Sequence, residues 1–262
     1  MTDGQGVWLY AVTSAEPVAQ VLSSLTGVAG ETVHAVVGDD LAAVVGSVPL
    51  EVFGEQALRQ NLEDLAWLEA TARAHDTVVS TLARQVPTIP LRLATVFLDE
   101  NGVYSLLAEH RADFESALAL VTGRTEWGVK GYADRETLTA AVAEAQAASS
   151  DKGVGTAYLL RRRAQLSAQE TVERDAATRA EEIHDRLVRQ AAAGRRQAAT
   201  DPALSGNRDW MVLNGTYLVD DDGTDDFRAT VEELGTKFPG IRLELTGPWP
   251  PYSFAGVERM VP

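Results

Sequence analysis

Residues 32–45, TVHAVVGDDLAAVV, consist of two Val-rich runs with a short polar segment between them. The runs Thr32–Val37 and Leu41–Val45 favour β-structure because β-branched side chains fit a pleated, half-buried surface. Gly and Asp at positions 38–40 tolerate the positive φ that tight hairpin turns require. This stretch therefore predicts two antiparallel strands joined by a hairpin, and it fixes the order of the elements around it.

The segments on either side of the hairpin complete an alternating pattern of strands and helices. Before it, Val7–Val12 predicts a strand and Glu16–Leu25 predicts a helix. After it, apolar residues recur at three- and four-residue steps, which predicts a long helix ended by Pro87. Ile89–Phe97 then predicts a strand. The order is βαββαβ, and a further helix is expected over Gly102–Val121.

The second half of the chain repeats this mixture of strands and helices. Glu126–Ala133, Trp210–Val219 and Ile241–Thr246 predict strands, and Asp225–Phe238 predicts a helix. Gly153–Ala199 is rich in Ala, Arg, Glu and Gln and has few apolar anchors, which indicates a protruding helical appendage. The strands would form a ferredoxin-like sheet that this appendage interrupts.

We therefore expect an α+β chain of two domains. Residues 1–123 would form an N-terminal domain of βαββαβ type with an additional helix. Residues 124–262 would form a modified ferredoxin-like domain with a long helical appendage at about residues 150–200. The chain has 262 residues and is 45% hydrophobic, which suffices for more than one core.

Composition excludes several classes of protein. The chain has no cysteine, so disulfides, thiolate nucleophiles and sulfur-ligated metals are excluded, which suits a reducing cytoplasm. The N-terminal residues do not resemble a secretory signal, and no stretch approaches the roughly 18 apolar residues needed to span a bilayer. We expect a cytoplasmic protein without a membrane partner.

The formal net charge of -15 disfavours generic nucleic-acid binding because the phosphate backbone is also negative. Residues 150–200 are the exception, with ten Lys or Arg against seven Asp or Glu. They include the cluster Arg161–Arg163, but acidic residues are interleaved with the basic ones, which is typical of a solvated or protein-facing helix. No nucleic-acid partner is expected.

No residue pattern indicates catalysis, a cofactor or a metal site. The four histidines are dispersed, and two of them, His75 and His110, lie on apolar helical stripes as core or core-edge residues. The acidic run at 220–226 lacks EF-hand spacing, which favours a solvated turn and leaves weak divalent binding open. GVGT at 153–156 lacks the Lys of a P-loop. An enzyme with an unrecognised site on a ferredoxin-like platform remains the alternative.

Five segments together resemble the gas vesicle protein GvpF/GvpL family, and they span nearly the whole chain. The most specific is LELTGPWPPYSF at Leu243–Phe254, since a string so rich in proline and aromatic residues rarely follows a strand by chance. The others occur in the order that the family shows: ARAHD at Ala72–Asp76, PTIPLRLATVF at Pro87–Phe97, EWGVKGYAD at Glu126–Asp134 and NGTYLVD at Asn214–Asp220.

This chain departs from the family pattern in two places. The family commonly has an aromatic residue and a glycine after the Arg of the PLR segment, where this chain has Leu93 and Ala94. It also commonly has an alanine near Gly215. We interpret both departures as sequence drift within the family.

The resemblance implies two α+β domains, the second a modified ferredoxin-like fold with a helical appendage. It also implies a non-enzymatic assembly protein that binds GvpA, the small hydrophobic shell protein of gas vesicles, with other gas vesicle accessory proteins as further partners. Two roles stay open: a factor that holds shell subunits during assembly, or a minor wall component on the gas-facing surface. No bound metal or organic cofactor is expected.

The candidate structural or partner-contact residues are an arginine and five aromatic residues: Arg92, Trp127, Tyr217, Trp249, Tyr252 and Phe254. Arg92 is expected to order the first domain by hydrogen bonding through its planar guanidinium. The tail aromatics could either seal the core of the second domain or contact a partner. Because prolines hold the chain in an extended path, we expect Trp249 and Phe254 to pack inward.

Overall fold

The computed structural model describes residues 4–22, 25–140, 157–198 and 210–256. The GVGT segment lies outside the described residues, as do the side chains of Arg161–Arg163. Within the part of the chain that is described, no helix is long and apolar enough to cross a membrane.

The described residues form two compact units. The first comprises the residues up to Glu126 together with those from Trp249 onward, and the second comprises Trp127–Pro248. The sequence predicts a single domain for all residues after 123. In the structure, the residues from Trp249 onward belong to the first unit instead.

The first unit is built on a five-stranded sheet. Its elements are, in chain order, β1 (Gln5–Ser14), α1 (Ala15–Leu22), β2 (His34–Gly38), β3 (Leu41–Pro49), α2 (Leu50–Phe53), α3 (Glu55–Asn61), α4 (Leu65–Ala83), β4 (Thr88–Pro90), β5 (Val96–Phe97), α5 (Glu100–Glu109) and α6 (Arg111–Val121). The sheet order is β2-β3-β1-β4 with antiparallel neighbours, and β5 also pairs with β1. The hairpin predicted from residues 32–45 is confirmed, and Asp39 in its turn has a φ of 53°.

Strand β1 is buried on both faces of this sheet. Val7 and Leu9 contribute to a core with α5 and α6, whereas Trp8 and Tyr10 contribute to a core with α1 and α4. The register between β1 and β3 shifts between Leu9 and Ala11, which is the geometry of a β-bulge. The bulge explains why Ala11 belongs to the same core as Tyr10 although the two are adjacent in sequence.

Two helices predicted as continuous are each divided in the structure. The longer one is divided into α3 and α4 because Asp64 caps α4, accepting hydrogen bonds from the N–H groups of Ala66 and Trp67 at 2.9 and 3.3 Å. The helix expected over Gly102–Val121 is divided into α5 and α6 at His110. The apolar stripe continues across both breaks, so its periodicity does not reveal them.

The strand expected over Ile89–Phe97 is also interrupted. β4 ends at Pro90, β5 begins at Val96, and Ala94 between them has a φ of 66°. A residue with this left-handed backbone cannot continue a strand, because strands require strongly negative φ. The chain therefore leaves the sheet after β4 and pairs with β1 again at β5.

The second unit is built on a four-stranded sheet. Its elements are β6 (Arg124–Ala133), a helical segment at 135–140, α7 (Ala157–Val188), β7 (Ala193–Arg196), β8 (Trp210–Asp220), a 3₁₀ turn (Asp221–Gly223), α8 (Thr224–Lys237) and β9 (Ile241–Trp249). The sheet order is β7-β8-β6-β9. In both units, the first strand of the sheet lies between the third and the fourth.

Helix α7 joins the core of the second unit over its C-terminal half. One stripe of its side chains is buried, comprising Val172, Ala176, Ala180, Ile183 and Leu187. Ile183 and Leu187 pack in the same cluster as Tyr217 of β8. The segment predicted as a protruding appendage is thus a core helix from Val172 onward, because alanines let the helix approach the sheet closely without a wide apolar face.

Candidate functional site

The buried histidine of α4 connects two of the segments that resemble the gas vesicle family. Trp8 donates its indole N–H to Nδ1 of His75 at 3.0 Å, and Nε2 of His75 lies 3.2 Å from the carbonyl oxygen of Leu91. Since Nδ1 accepts, Nε2 carries the proton and donates to Leu91. This bond joins the ARAHD segment to the PTIPLRLATVF segment.

His75 is suited to a structural role. Its residue is 3% exposed, and burial lowers the pKa of His75 to about 4. The ring is therefore neutral near pH 7, and both of its nitrogens are used in hydrogen bonds. This outcome agrees with the prediction of a hydrogen-bonded core histidine.

Beside His75, a tyrosine and a glutamate form a second polar link that the sequence analysis missed. Tyr10 stacks on the His75 ring with centroids 5.4 Å apart and donates its hydroxyl to Glu31 at 2.5 Å. Burial raises the pKa of Tyr10, so the phenol stays protonated. Gly46 makes room for the carboxylate, since a Cβ there would lie 2.2 Å from Oε1 of Glu31. Two aromatic residues with polar atoms in a buried strand were the signal, because such atoms need partners.

The C-terminal tail is anchored to the first unit by a buried carboxylate. Glu126 is 6% exposed and accepts hydrogen bonds from the backbone N–H of Ser253 at 2.8 Å and from its hydroxyl at 2.7 Å. Phe254 is 2% exposed, and Ala255 packs in the core that contains Leu91. The tail thus packs on the first unit, where Glu126 holds Ser253, and it does not seal the core of the second domain, which was one of the two roles open from the sequence.

Within this tail, two aromatic side chains face outward. Trp249 is 49% exposed and Tyr252 is 41% exposed, whereas Pro250 and Pro251 between them are buried. The N–H of Tyr252 donates to the carbonyl of Pro250 at 2.8 Å, which closes a tight turn. The expectation that Trp249 packs inward is therefore wrong, because the prolines take the buried positions. We call Trp249 and Tyr252 the tail surface.

Tyr252 of the tail surface also lies near the ARAHD segment. Desolvation of its hydroxyl raises the pKa of Tyr252, and the negative charge of the Asp76 carboxylate raises it further. Asp76 in turn accepts a hydrogen bond from the hydroxyl of Ser80 at 3.3 Å. The first unit therefore contains the ARAHD and PTIPLRLATVF segments, the tail from Trp249 onward, and Glu126, the first residue of EWGVKGYAD.

Arg92 lies in the chain between β4 and β5 and is exposed. Its carbonyl oxygen accepts a hydrogen bond from the hydroxyl of Thr95 at 2.8 Å, which holds the turn between the two strands. The role expected for the guanidinium, ordering the first domain, stays a prediction.

The two remaining candidates, Trp127 and Tyr217, lie in the core of the second unit. Tyr217 is fully buried, and its hydroxyl lies 2.8 Å from Nδ1 of His184. Gly194 stands opposite Tyr217 in the β7–β8 pair and leaves space for its ring. Trp127 is 6% exposed, with the Arg228 guanidinium 6.0 Å from its ring centroid. Neither ring faces solvent, and the structural role of these two residues stays a prediction.

The described residues offer no metal-ligand set: among them, no three His, Asp or Glu side chains are grouped to hold an ion. The histidines lie apart, with His34 beside Glu100 at 2.9 Å and His110 beside Asp113 at 3.4 Å. The start of the acidic run forms the 3₁₀ turn that precedes α8. The expectation that no metal or organic cofactor is bound stays a prediction.

These features define a class of protein with two α/β units, each built on an antiparallel sheet. Its C-terminal tail is held on the first unit by Glu126. A model of the gas vesicle synthesis protein GvpL/GvpF family matches residues 6–256. The chain therefore belongs to the GvpL/GvpF family of gas vesicle synthesis proteins.

Individual relatives agree with this assignment. Gas vesicle protein L of Streptomyces sp. (strain CB03234) is 42% identical over 254 residues, covering 95% of this chain and 92% of that protein. Gas vesicle protein F of the same strain is 26% identical over 234 residues, covering 86% and 88%. The crystal structure of GvpF from Anabaena sp. PCC7120 has a TM-score of 0.68 at 20% identity and covers 96% of both chains, which supports the fold.

Proposed function

We propose that this protein is a gas vesicle assembly protein that binds the hydrophobic shell protein GvpA through the tail surface. Membership of a family of gas vesicle synthesis proteins supports a role in gas vesicle formation. The choice of binding site rests on one observation: Trp249 and Tyr252 are 49% and 41% exposed beside buried prolines.

The anchoring of the tail supports an interface role because it lowers the entropic cost of binding. Pro250 and Pro251 restrict φ, and Glu126 holds Ser253 with two hydrogen bonds, so the aromatic side chains are presented on an ordered backbone. Trp and Tyr are the residue types most enriched at the energetic centres of protein interfaces. A net charge of -15 would keep a complex with an apolar shell subunit soluble.

The experiment is capture of co-expressed GvpA by tagged protein, quantified per folded molecule. We predict that the double variant Trp249→Ala, Tyr252→Ala captures GvpA at least about tenfold less well, since losing an interface anchor typically costs about 2 kcal/mol. Its melting temperature should stay within a few degrees of the parent because both side chains are substantially exposed.

Tyr104→Ala is the matched control, because it removes an aromatic side chain that is 45% exposed elsewhere on the first unit. Capture should be unchanged in this variant. Equal capture by the double variant and the parent would exclude the tail surface as the GvpA site.

Three finer statements belong to the same proposal. We infer that the protein is of the L type, supported by 42% identity to protein L against 26% to protein F of one Streptomyces strain. We also infer that both units are variants of a βαββαβ, ferredoxin-like arrangement, supported by their shared strand order. Retention on washed vesicles would support a minor wall component, and loss on washing would support an assembly factor that leaves the finished vesicle.

We further propose that the protein acts without catalysis. The family description names synthesis of gas vesicles, and the alternative of an enzyme on a ferredoxin-like platform has no described feature in its favour. The buried His75, with a pKa of about 4, is unsuited to proton transfer near neutral pH.

A further inference from the structure

A cleft of about 610 Å³ opens at one end of the sheet in the second unit. It lies where β6 ends and where β8 and β9 begin, and Tyr132, Trp210 and Arg242 line it from these three strands. The N–H of Asp134 donates to the carbonyl of Gly240 at 2.9 Å and ties the end of β6 to the start of β9. The cleft is therefore built on the ends of paired strands, which hold its lining in place.

Two arginines in this cleft rest on aromatic rings. The Cζ atom of Arg135 lies 4.1 Å from the centroid of the Trp210 ring, and that of Arg242 lies 4.7 Å from the centroid of the Tyr132 ring. Their side chains are 50% and 51% exposed. A guanidinium over an aromatic ring gains cation–π attraction, and its N–H donors match the geometry of a carboxylate. We call these four residues the arginine cleft.

Each arginine of the arginine cleft already pairs with an acidic side chain of this unit, which a bound carboxylate has to displace. Glu173 lies 3.4 Å from Arg135, and Glu244 forms an exposed ion pair with Arg242. Exposed pairs of this kind are weak because water screens them. The carboxylate of Asp134 accepts hydrogen bonds from the N–H of Glu136 at 2.9 Å and the hydroxyl of Thr137 at 2.7 Å, so it is engaged at the start of the helical segment.

We propose that the arginine cleft binds an acidic peptide segment of a partner protein, with its carboxylates on Arg135 and Arg242. The volume exceeds what a single small anion fills, and Trp210 and Tyr132 offer apolar surface to the rest of a peptide. Bidentate pairing of guanidinium and carboxylate would supply the specificity. The site lies in the second unit and does not depend on the proposal for the tail surface.

The test follows the indole N–H resonance of Trp210 in a ¹⁵N correlation spectrum, assigned with Trp210→Phe. The probe is a short peptide of alternating Glu and Leu, compared with the same peptide carrying Gln in place of Glu and with inorganic phosphate. We expect a saturable shift with the Glu peptide and none with the Gln peptide. No shift with the Glu peptide, or an equal affinity for phosphate, would overturn the proposal.

Substitutions in the cleft sharpen this test. Arg135→Gln and Arg242→Gln should each weaken binding of the Glu peptide severalfold, because each variant removes one guanidinium–carboxylate pair at a partly exposed position. Glu173→Gln should strengthen it severalfold, because the variant removes a competing carboxylate from Arg135. The control is Arg228→Gln, an exposed arginine of the same unit that does not line the cleft. Wild-type affinity in both cleft arginine variants, or weaker binding by Glu173→Gln, would contradict the assignment.

Discussion

Ala94 has a φ of 66°, in the left-handed region that a side chain with a Cβ atom rarely adopts. The conformation places it at the turn between β4 and β5, where Arg92 accepts the hydrogen bond from Thr95. For an alanine this backbone costs about 1–2 kcal/mol relative to the right-handed region. Glycine has no such penalty, because it lacks the Cβ atom that crowds the left-handed region.

We predict that Ala94→Gly raises the free energy of unfolding by about 0.5–1 kcal/mol. The relief of backbone strain exceeds the extra conformational entropy that glycine gives the unfolded chain, which is about 0.4–1 kcal/mol. Urea unfolding of the two proteins measures the difference.

The reciprocal control is Gly30→Ala, since Gly30 has a φ of 78° and an added Cβ would meet no atom within 4 Å. This variant should lose a comparable amount, because it acquires the same strain without a steric clash. A loss of stability in Ala94→Gly would show that contacts of the Ala94 methyl group outweigh the strain.

At the residue scale, individual residue types predicted the local backbone better than the pattern of strands and helices did. Gly and Asp at 38–40 predicted the hairpin turn, and Asp39 adopts the positive φ it tolerates. By contrast, Ala94 lies in an apolar β-prone run, where local propensity favours a continuous strand. The network of Trp8, Tyr10 and Glu31 could not be derived, because its hydrogen bonds join residues distant in sequence.

At the scale of elements, the tail shows how a single short segment divides its aromatic side chains between core and surface. Phe254 is 2% exposed and lies next to Ala255, which packs in a core of the first unit, whereas Trp249 is 49% exposed. The Pro250–Pro251 turn and the bonds from Ser253 to Glu126 set this division. The two aromatic residues should therefore respond oppositely to truncation.

We predict that Phe254→Ala lowers the free energy of unfolding by about 3–5 kcal/mol, the usual cost of truncating a buried aromatic side chain. Trp249→Ala should change it by less than about 1 kcal/mol, because half of its surface is already exposed. Denaturant unfolding of the two variants under identical conditions makes the comparison. Equal destabilisation by both would mean that Trp249 has a structural role, and Phe254→Ala with parental stability would refute the anchoring.

Elements were predictable where hydrophobic period and turn chemistry agreed. β1, the β2–β3 hairpin, β8 and α8 follow the sequence closely. The break between α3 and α4 had a signal in Asp64, a residue type that commonly caps helices, but the continuous apolar stripe obscured it. The sequence pattern did not predict the burial of α7. Alanine at its contact positions contributes little to an apolar stripe, although its small side chain permits close packing.

At the scale of the whole molecule, two α+β bodies were predicted, but the partition of the chain between them was not. The path of the tail depends on the pairing of Glu126 with Ser253, 127 residues apart. Such a contact has no local signature, because nothing in the sequence around Glu126 and Ser253 shows that the Glu126 side chain is buried. The family resemblance predicted a role in gas vesicle formation. The tail surface and the arginine cleft could be identified only from the exposure of individual side chains in the structure.

The stability of the molecule should depend on pH through the buried His75 and the partly buried His184. Burial lowers the pKa of His75 from 6.5 to about 4, and burial also lowers the pKa of His184. Between about pH 4 and pH 6.5, the unfolded chain binds a proton at His75 that the folded chain does not, so acid favours unfolding. The stabilisation by neutral His75 is complete above about pH 6.5 and is lost as the pH falls toward about 4.

We predict that lowering the pH from about 7 to about 4.5 removes roughly 2 kcal/mol of unfolding free energy through His75. His75→Gln should make the decline shallower by that amount, because glutamine does not titrate and can still accept the Trp8 N–H bond. The measurement is urea unfolding across this range. A slope in His75→Gln equal to that of the parent would show that carboxylates or His184 account for the acid sensitivity.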